Sequence, residues 1–238
     1  MSKDDGSPDG NIALLIDADN ASPDSLDPVL TVLAELGTVN IRRAYGNWRK
    51  QSLKRWSDLS LHYAIDTLQQ FDISKGKNAT DMKMVIDAMD LLYRGHVDGF
   101  GIMSSDSDFM PLAMRIRQNG LPVYGFGGAK TPEPFKQACT RFIDTDALIK
   151  AAKGKDKADG TKAVDQELLD LLVDAYNAVK RDEKGYASLS AVGQRAGNRS
   201  SFDVRNYGYS RLSELIEAVP NFQTERRKDG EIYIKRMR

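Results

Sequence analysis

The 238-residue chain has one cysteine, Cys139, and two histidines, His62 and His96. A lone thiol builds neither a disulfide framework nor a thiolate zinc site, and two histidines leave little for imidazole-based metal chemistry. A cation held here is therefore bound by oxygen, which points to magnesium, manganese or calcium. No apolar run approaches the roughly 20 residues that a membrane span requires. The amino end, MSKDDGSPDG, lacks the apolar core of a signal peptide. Residues 1–10 read as a disordered tail, and the chain as a cytoplasmic protein with no membrane partner. Nor is either charge in excess, since 34 Lys and Arg balance 34 Asp and Glu.

What the chain does contain is an apolar run that stops abruptly on acid. Ile12, Ala13, Leu14, Leu15 and Ile16 end in Asp17-Ala18-Asp19-Asn20, and Ser22-Pro23 then opens a helix. A short continuous apolar run between polar turns is the pattern of a strand buried on both faces of a parallel sheet. Ser as cap with Pro at the first helical position is a standard helix start. Two carboxylates and an amide are thereby set at the carboxyl end of a central strand, where open α/β sheets bind ligands. Taken alone, these residues serve equally well as strand terminus and helix cap. A second cluster shifts the balance: Gly99–Met103 reads as a strand running into Ser104-Ser105-Asp106-Ser107-Asp108. Between the two, Asp81 opens a helix just after a polar stretch that carries Lys75 and Lys77.

The intervening pattern alternates. Leu26, Val29, Leu30, Leu33 and Leu36 predict a helix stopped by Gly37. Residues 38–45 follow as a strand, 48–59 as a basic amphipathic helix and 61–65 as a short strand. In the helix opened by Asp81, the predicted apolar face is Met82, Val85, Ile86, Met89 and Leu92. Lys83, Asp87, Asp90 and Arg94 form a solvated, ion-paired face opposite. A helix over 111–118, a strand over 121–126, a helix over 134–138 and a strand over 141–143 complete the series. Strands alternating with helices imply an α/β class with a doubly wound parallel sheet and right-handed crossovers.

Residues 151–164 are small, charged and without periodicity, as in a linker. Beyond them come amphipathic helices over 168–179, near 189–193 and over 212–219, with one strand of a closing hairpin at 231–235. Residues 184–238 hold eleven Lys and Arg against six Asp and Glu, a net of +5. Residues 1–160 hold twenty against twenty-two, a net of −2. The positive excess thus lies on the smaller half, and the acidic clusters on the larger.

Asp17, Asp81, Asp106 and Asp108 converge if the strands run parallel, because all strand ends then share one edge. Carboxylates packed together raise one another's pKa values. A divalent cation removes that penalty, activates a water and neutralises charge building on a phosphate. Asn20, Ser104 and Ser105 are placed to hydrogen-bond the acids or the phosphate. Turn glycines account for Gly125-Phe126-Gly127-Gly128 without a phosphate loop.

IDADN, KGKNATD, MSSDSDF and VYGFGGAKTPEPFKQAC, in this order and spacing, resemble the NYN domain of the PIN-like nuclease superfamily over roughly residues 11–149. The resemblance implies a Rossmann-like PIN/NYN parallel sheet flanked by helices, a Mg²⁺ or Mn²⁺ pocket and ribonuclease activity. It makes Asp17, Asp81, Asp106 and Asp108 the metal-site and catalytic acids. Asn20, Ser104 and Ser105 take supporting roles, and Lys77 is close enough to meet a phosphate. Ser105 stands where such families commonly show glycine. The tail, through Tyr186 to Gly193, Phe202-Asp203, Asn206 to Tyr209 and Arg211 to Ile216, is similar to the LOTUS or OST-HTH domain. That likeness implies a small winged-helix-like domain that binds RNA, with Arg205, Tyr207, Tyr209 and Arg211 as its contacts. The expected organisation is a tail (1–10), a nuclease domain (11–150), a linker (151–164) and an RNA-binding domain (165–238). Assembly into a homo-oligomer stays open.

Two other functions compete. Asp17-x-Asp19 after an apolar strand is also the opening motif of haloacid-dehalogenase-type phosphatases, with Asp17 as nucleophile and Asp19 as acid. Ala21 in place of the usual Thr or Val, and an unexplained tail, count against it. The other is a non-catalytic RNA-binding adaptor with a vestigial acidic pocket.

Overall fold

The computed structural model describes residues 10–70, 79–152, 164–227 and 230–237. The amino-terminal tail to residue 9, Lys75, Lys77 and most of the expected linker lie outside the described residues. The chain divides into two compact units, Met1–Ile149 and Lys150–Arg238.

The first unit runs β1 (Asn11–Asp17), α1 (Leu26–Ala34), β2 (Thr38–Gly46), α2 (Lys54–His62), β3 (Asp66–Gln69), α3 (Ala79–Arg94), β4 (Gly99–Met103), α4 (Met110–Gln118), β5 (Val123–Gly127), α5 (Glu133–Ala138), β6 (Arg141–Asp144) and α6 (Thr145–Ala152). Its six strands are all parallel, in the order β3-β2-β1-β4-β5-β6. From β1 the chain winds outward through β2 and β3, then returns to β4 and winds the other way. The β1/β4 boundary is therefore the topological switch point, where a crevice opens beyond the carboxyl ends of the strands.

Helices cover both faces, which is why β1 is apolar throughout rather than alternating. Ala13, Leu15, Phe100 and Ile102 pack against Met84 and Ala88 of α3, Leu112 and Ile116 of α4, and Phe135 of α5. Ile12, Leu14 and Ile16 pack on the opposite side against Leu26, Val29 and Leu33 of α1 and Trp56 of α2. Asp17 shares the face of Ala13 and Leu15, and Ser104 that of Phe100 and Ile102, by the two-residue period of a strand. Both lie on the α3/α4 side.

Two local expectations are corrected. The third strand is Asp66–Gln69, not 61–65: α2 continues to His62, and the turn passes through Ala64 at φ +51°. Its sequence, DTLQ, forms the outermost strand of the sheet and carries no apolar signature. Leu61, whose apolar side chain favours a strand at 61–65, is 87 % exposed. On α3, the stripe that packs is Met84, Ala88, Leu91 and Leu92, while Met82 and Ile86 are 61 % and 52 % exposed. The helix has two apolar stripes, and small Ala88 lets one of them approach the sheet closely. Asp87 is correspondingly not on a solvated face. It accepts from Arg43 Nη1 at 2.9 and 2.8 Å and from the Tyr45 hydroxyl, tying α3 to β2.

The second unit contains α7 (Gln166–Ala178), β7 (Ala187–Ser188), α8 (Leu189–Arg199), α9 (Leu212–Glu217), β8 (Phe222–Arg226) and β9 (Ile232–Arg236). Asp165 caps α7 by accepting from Leu168 N at 2.9 Å. The strands form an antiparallel sheet in the order β7-β9-β8. Leu172, Tyr176, Val192, Leu215, Ile216 and Ile234 are among the side chains of its small core.

Candidate active site at the switch point of the sheet

The last residue of β1 is the best-buried acid among the described residues. Asp17 is 0 % exposed. One of its oxygens, Oδ2, accepts from Ser104 Oγ at 2.7 Å and from Asn20 Nδ2 at 2.9 Å. The other, Oδ1, is buried and has no hydrogen-bond partner. An unsatisfied buried oxygen costs about 1–3 kcal/mol, more when charged, and calls for an explanation. Burial pushes the Asp17 carboxyl above its ordinary value; the Ser104 and Asn20 hydrogen bonds offset part of that, and the Asp19 charge adds to it.

Ser104 is the hinge between the two strand ends. β1 and β4 are aligned with Ile16 opposite Met103, so the next residues, Asp17 and Ser104, meet across the crevice. The Ser104 hydroxyl donates to Asp17 and accepts from Asp106 N at 3.1 Å. Asp106 in turn caps the turn Ser107–Phe109 by accepting from Asp108 N at 2.9 Å. Asp106 is thus a helix-start cap, and its charge still acts on Asp81. Gly127 lets this segment pack closely: a Cβ there would lie 2.7 Å from the Ser104 carbonyl oxygen and 2.5 Å from Thr131 Oγ1. The Ser105 hydroxyl has a separate partner, accepting from Gly128 N at 3.0 Å.

Asp81 lies in the first turn of α3 on the same side of the sheet. Its carboxyl is pushed up to about 6, first by burial and then by the charges of Asp17, Asp106, Asp108 and Asp19. Asp17, Asp106 and Asp108 are thus within electrostatic reach of Asp81, although the four lie far apart in sequence. Among the described residues, however, no group of three acidic, histidine or cysteine side chains is set to hold a metal ion as the side chains stand. The donor chemistry fits a hard divalent cation, being all oxygen with one buried carboxylate oxygen unpartnered. A closed ligand set is not formed.

Three features have no counterpart among the sequence expectations. Asp19 is ion-paired with Lys50 Nζ at 3.1 Å, a contact between loops that no spacing reveals. Asp144 and Asp146 lie at the end of β6, on the same sheet edge. Asp144 Oδ1 caps α6 by accepting from Asp146 N at 2.8 Å, and Asp146 Oδ2 accepts from Ala129 N at 3.0 Å. The strand-then-acid rule that singles out Asp17 applies equally to both.

In the second unit, the Arg205 guanidinium bonds both oxygens of buried Asp203, at 3.2 and 3.0 Å. Tyr207 packs on Phe202 with ring centroids 6.0 Å apart, and both Tyr207 and Tyr209 are half-buried against the core. Arg211 is exposed. Three of the four expected RNA contacts thus also hold the fold together.

A family model for the NYN domain matches residues 11–149, and one for the OST-HTH/LOTUS domain matches residues 161–234. An uncharacterized protein of Methanocaldococcus jannaschii is 29% identical over 126 residues, covering 49% of this chain. The chain spans about half the length of that curated relative, 47%. A solved structure of a protein of unknown function from Vibrio parahaemolyticus aligns at 18% identity and a TM-score of 0.48, covering 60% of this chain and 96% of that one. Among the described residues, no helix is long and apolar enough to cross a membrane.

Proposed function

The chain belongs to the NYN domain family through residues 11–149 and continues into an OST-HTH/LOTUS domain; from that premise we propose that it is a Mg²⁺- or Mn²⁺-dependent ribonuclease. It hydrolyses RNA phosphodiesters, and its carboxyl-terminal domain helps to bind the RNA. The division into a nuclease domain (11–150), a linker (151–164) and an RNA-binding domain (165–238) is part of this proposal. The NYN domain belongs to the PIN-like nuclease superfamily, which supports the hydrolase side.

The observation that carries the reading is Asp17, a fully buried carboxylate with one oxygen accepting two hydrogen bonds and the other bare. Asp81, which feels the charges of Asp17, Asp106 and Asp108, joins it with those two acids as the residues that would hold the ion. When bound, the ion lowers the pKa of the attacking water and neutralises the phosphate. The chain's own part is preparatory. Ser104 and Asn20 hold Asp17 in one orientation and stabilise its charged form. The Ser104–Asp106 hydrogen bond couples that orientation to the β4 end. Asp108, exposed in its turn, would orient the water or hold a second ion. The phosphatase alternative needs Asp19 as its acid, and the Lys50 ammonium already occupies Asp19 Oδ1 at 3.1 Å, which speaks against it.

The test is incubation of the full chain with mixed RNAs, with and without Mn²⁺ or Mg²⁺, beside Asp17→Asn. Metal-dependent cleavage that falls at least about a hundredfold in the variant is the expected result. RNA binding without cleavage under either metal would leave the non-catalytic adaptor, which draws on the absence of a closed ligand set among the described residues.

A further inference from the structure

A cleft of about 510 Å³ lies between α3 and the turn that opens α4. Its lining is Asp81, Met82, Val85, Ser107, Asp108, Met110, Pro111 and Leu112. Its size falls within the range of small-molecule sites, about 300–1,000 Å³. Its composition is two-sided. At one end are the carboxylates of Asp81 and Asp108 and the Ser107 hydroxyl; the remaining wall is aliphatic and thioether. The side chain of Met82 is 61 % exposed there, although α3 has a second stripe that packs into the core.

We infer that this cleft receives one unpaired nucleobase of the RNA strand, from the nucleotide beside the phosphate bound at the acids. The inference rests on the ribonuclease reading and adds to it a subsite for one base. Three observations select the occupant. First, the cleft is continuous with the acidic site, because Asp81 and Asp108 belong to both. A group reaching it is attached to what the acids hold. Second, among the described residues the lining carries two carboxylates and neither lysine nor arginine, a charge that suits a neutral base better than the phosphate backbone. Third, two methionines flank it, and thioethers conform to flat aromatic faces with sulfur–ring contacts worth about 0.3–1.5 kcal/mol. The carboxylates and Ser107 supply acceptors for the edge amino groups that adenine, cytosine and guanine present. A base inside a duplex cannot enter, because it must first leave its stack.

The test uses the full chain with ¹³C-methyl-labelled methionine, alongside cleavage of the same RNA. A single-stranded oligonucleotide should shift the Met82 and Met110 methyl signals, with buried Met103 as a still reference, and a blunt duplex of the same sequence should not. In the cleavage assay, an abasic residue walked along the strand should cost about tenfold at one position next to the cut. Met82→Asp should cost a similar factor on intact RNA and little more on that abasic strand. Unmoved Met82 and Met110 signals at an RNA concentration that saturates cleavage would overturn the subsite and leave the nuclease standing. Shifts that follow protein concentration rather than RNA would overturn it in favour of a second copy of the chain. Abasic and Met82→Asp losses that multiply would also overturn it. Methyl shifts without cleavage of any RNA would support the subsite while retiring the nuclease.

Discussion

Replacing Asp81 by asparagine should make the metal-free protein more stable at pH 7.5, not less. Burial and four neighbouring carboxylates push the Asp81 carboxyl up to about 6 from an ordinary 3.8. A group whose folded pKa is raised favours folding below its unfolded value, and that contribution is lost as pH climbs through the folded value. For Asp81 the window therefore runs from about 3.8 to about 6. Counted in full, two units correspond to about 3 kcal/mol; Asp81 is only half-buried, and screening by solvent reduces this to about 1 kcal/mol. That is a rise of about 3 °C in melting temperature for a unit of this size. The assay is thermal unfolding in EDTA at pH 4.5 and 7.5, repeated with saturating Mn²⁺. Asp81→Asn should exceed wild type at pH 7.5, exceed it by only about a third as much at pH 4.5, and fall below it once Mn²⁺ is added. A variant destabilised equally at both pH values without metal would refute the electrostatic argument, because Asp81 would then be a helix-end stabiliser and nothing more.

Ser104→Ala should lower metal-dependent cleavage about 10- to 100-fold, the usual cost of removing a group that orients a ligand, while Ser105→Ala stays within a few-fold; similar losses in both would contradict the separate partners of the two hydroxyls. Asp19→Asn should cost far less activity than Asp106→Asn, and acid-quench mass spectrometry should find no phosphoaspartate at Asp17; collapse at Asp19 together with a trapped intermediate would restore the phosphatase. Deleting the chain from residue 153 onward should weaken RNA binding more than it slows single-turnover cleavage at saturating RNA, and binding should fall steeply with salt. A full chain whose RNA affinity ignores salt would assign the carboxyl-terminal domain to a protein partner.

Most of the candidate site is legible in the amino-acid sequence. Asp17 and Asp106 announce themselves because a strand buried on both faces must be apolar to its end, so an acid there has a reason. The parallel sheet follows from the alternation of strand and helix periods, whereas the strand order that sets the β1/β4 boundary came only from the tertiary structure. What one dimension could not supply was choice between equivalents. α3 offers two apolar stripes at the same spacing, and only packing on the sheet selected Met84 and Ala88, leaving Met82 and Ile86 outside. β3 carries no apolar signal, since an outer strand is defined by its neighbour rather than by its own residues. Which oxygen of Asp17 is bare, which serine holds it, and that Lys50 draws in Asp19 are contacts between segments distant in sequence. The residue types were set by the local chemistry of strand ends and helix starts. Their partners were set by which loops the sheet brought to one edge.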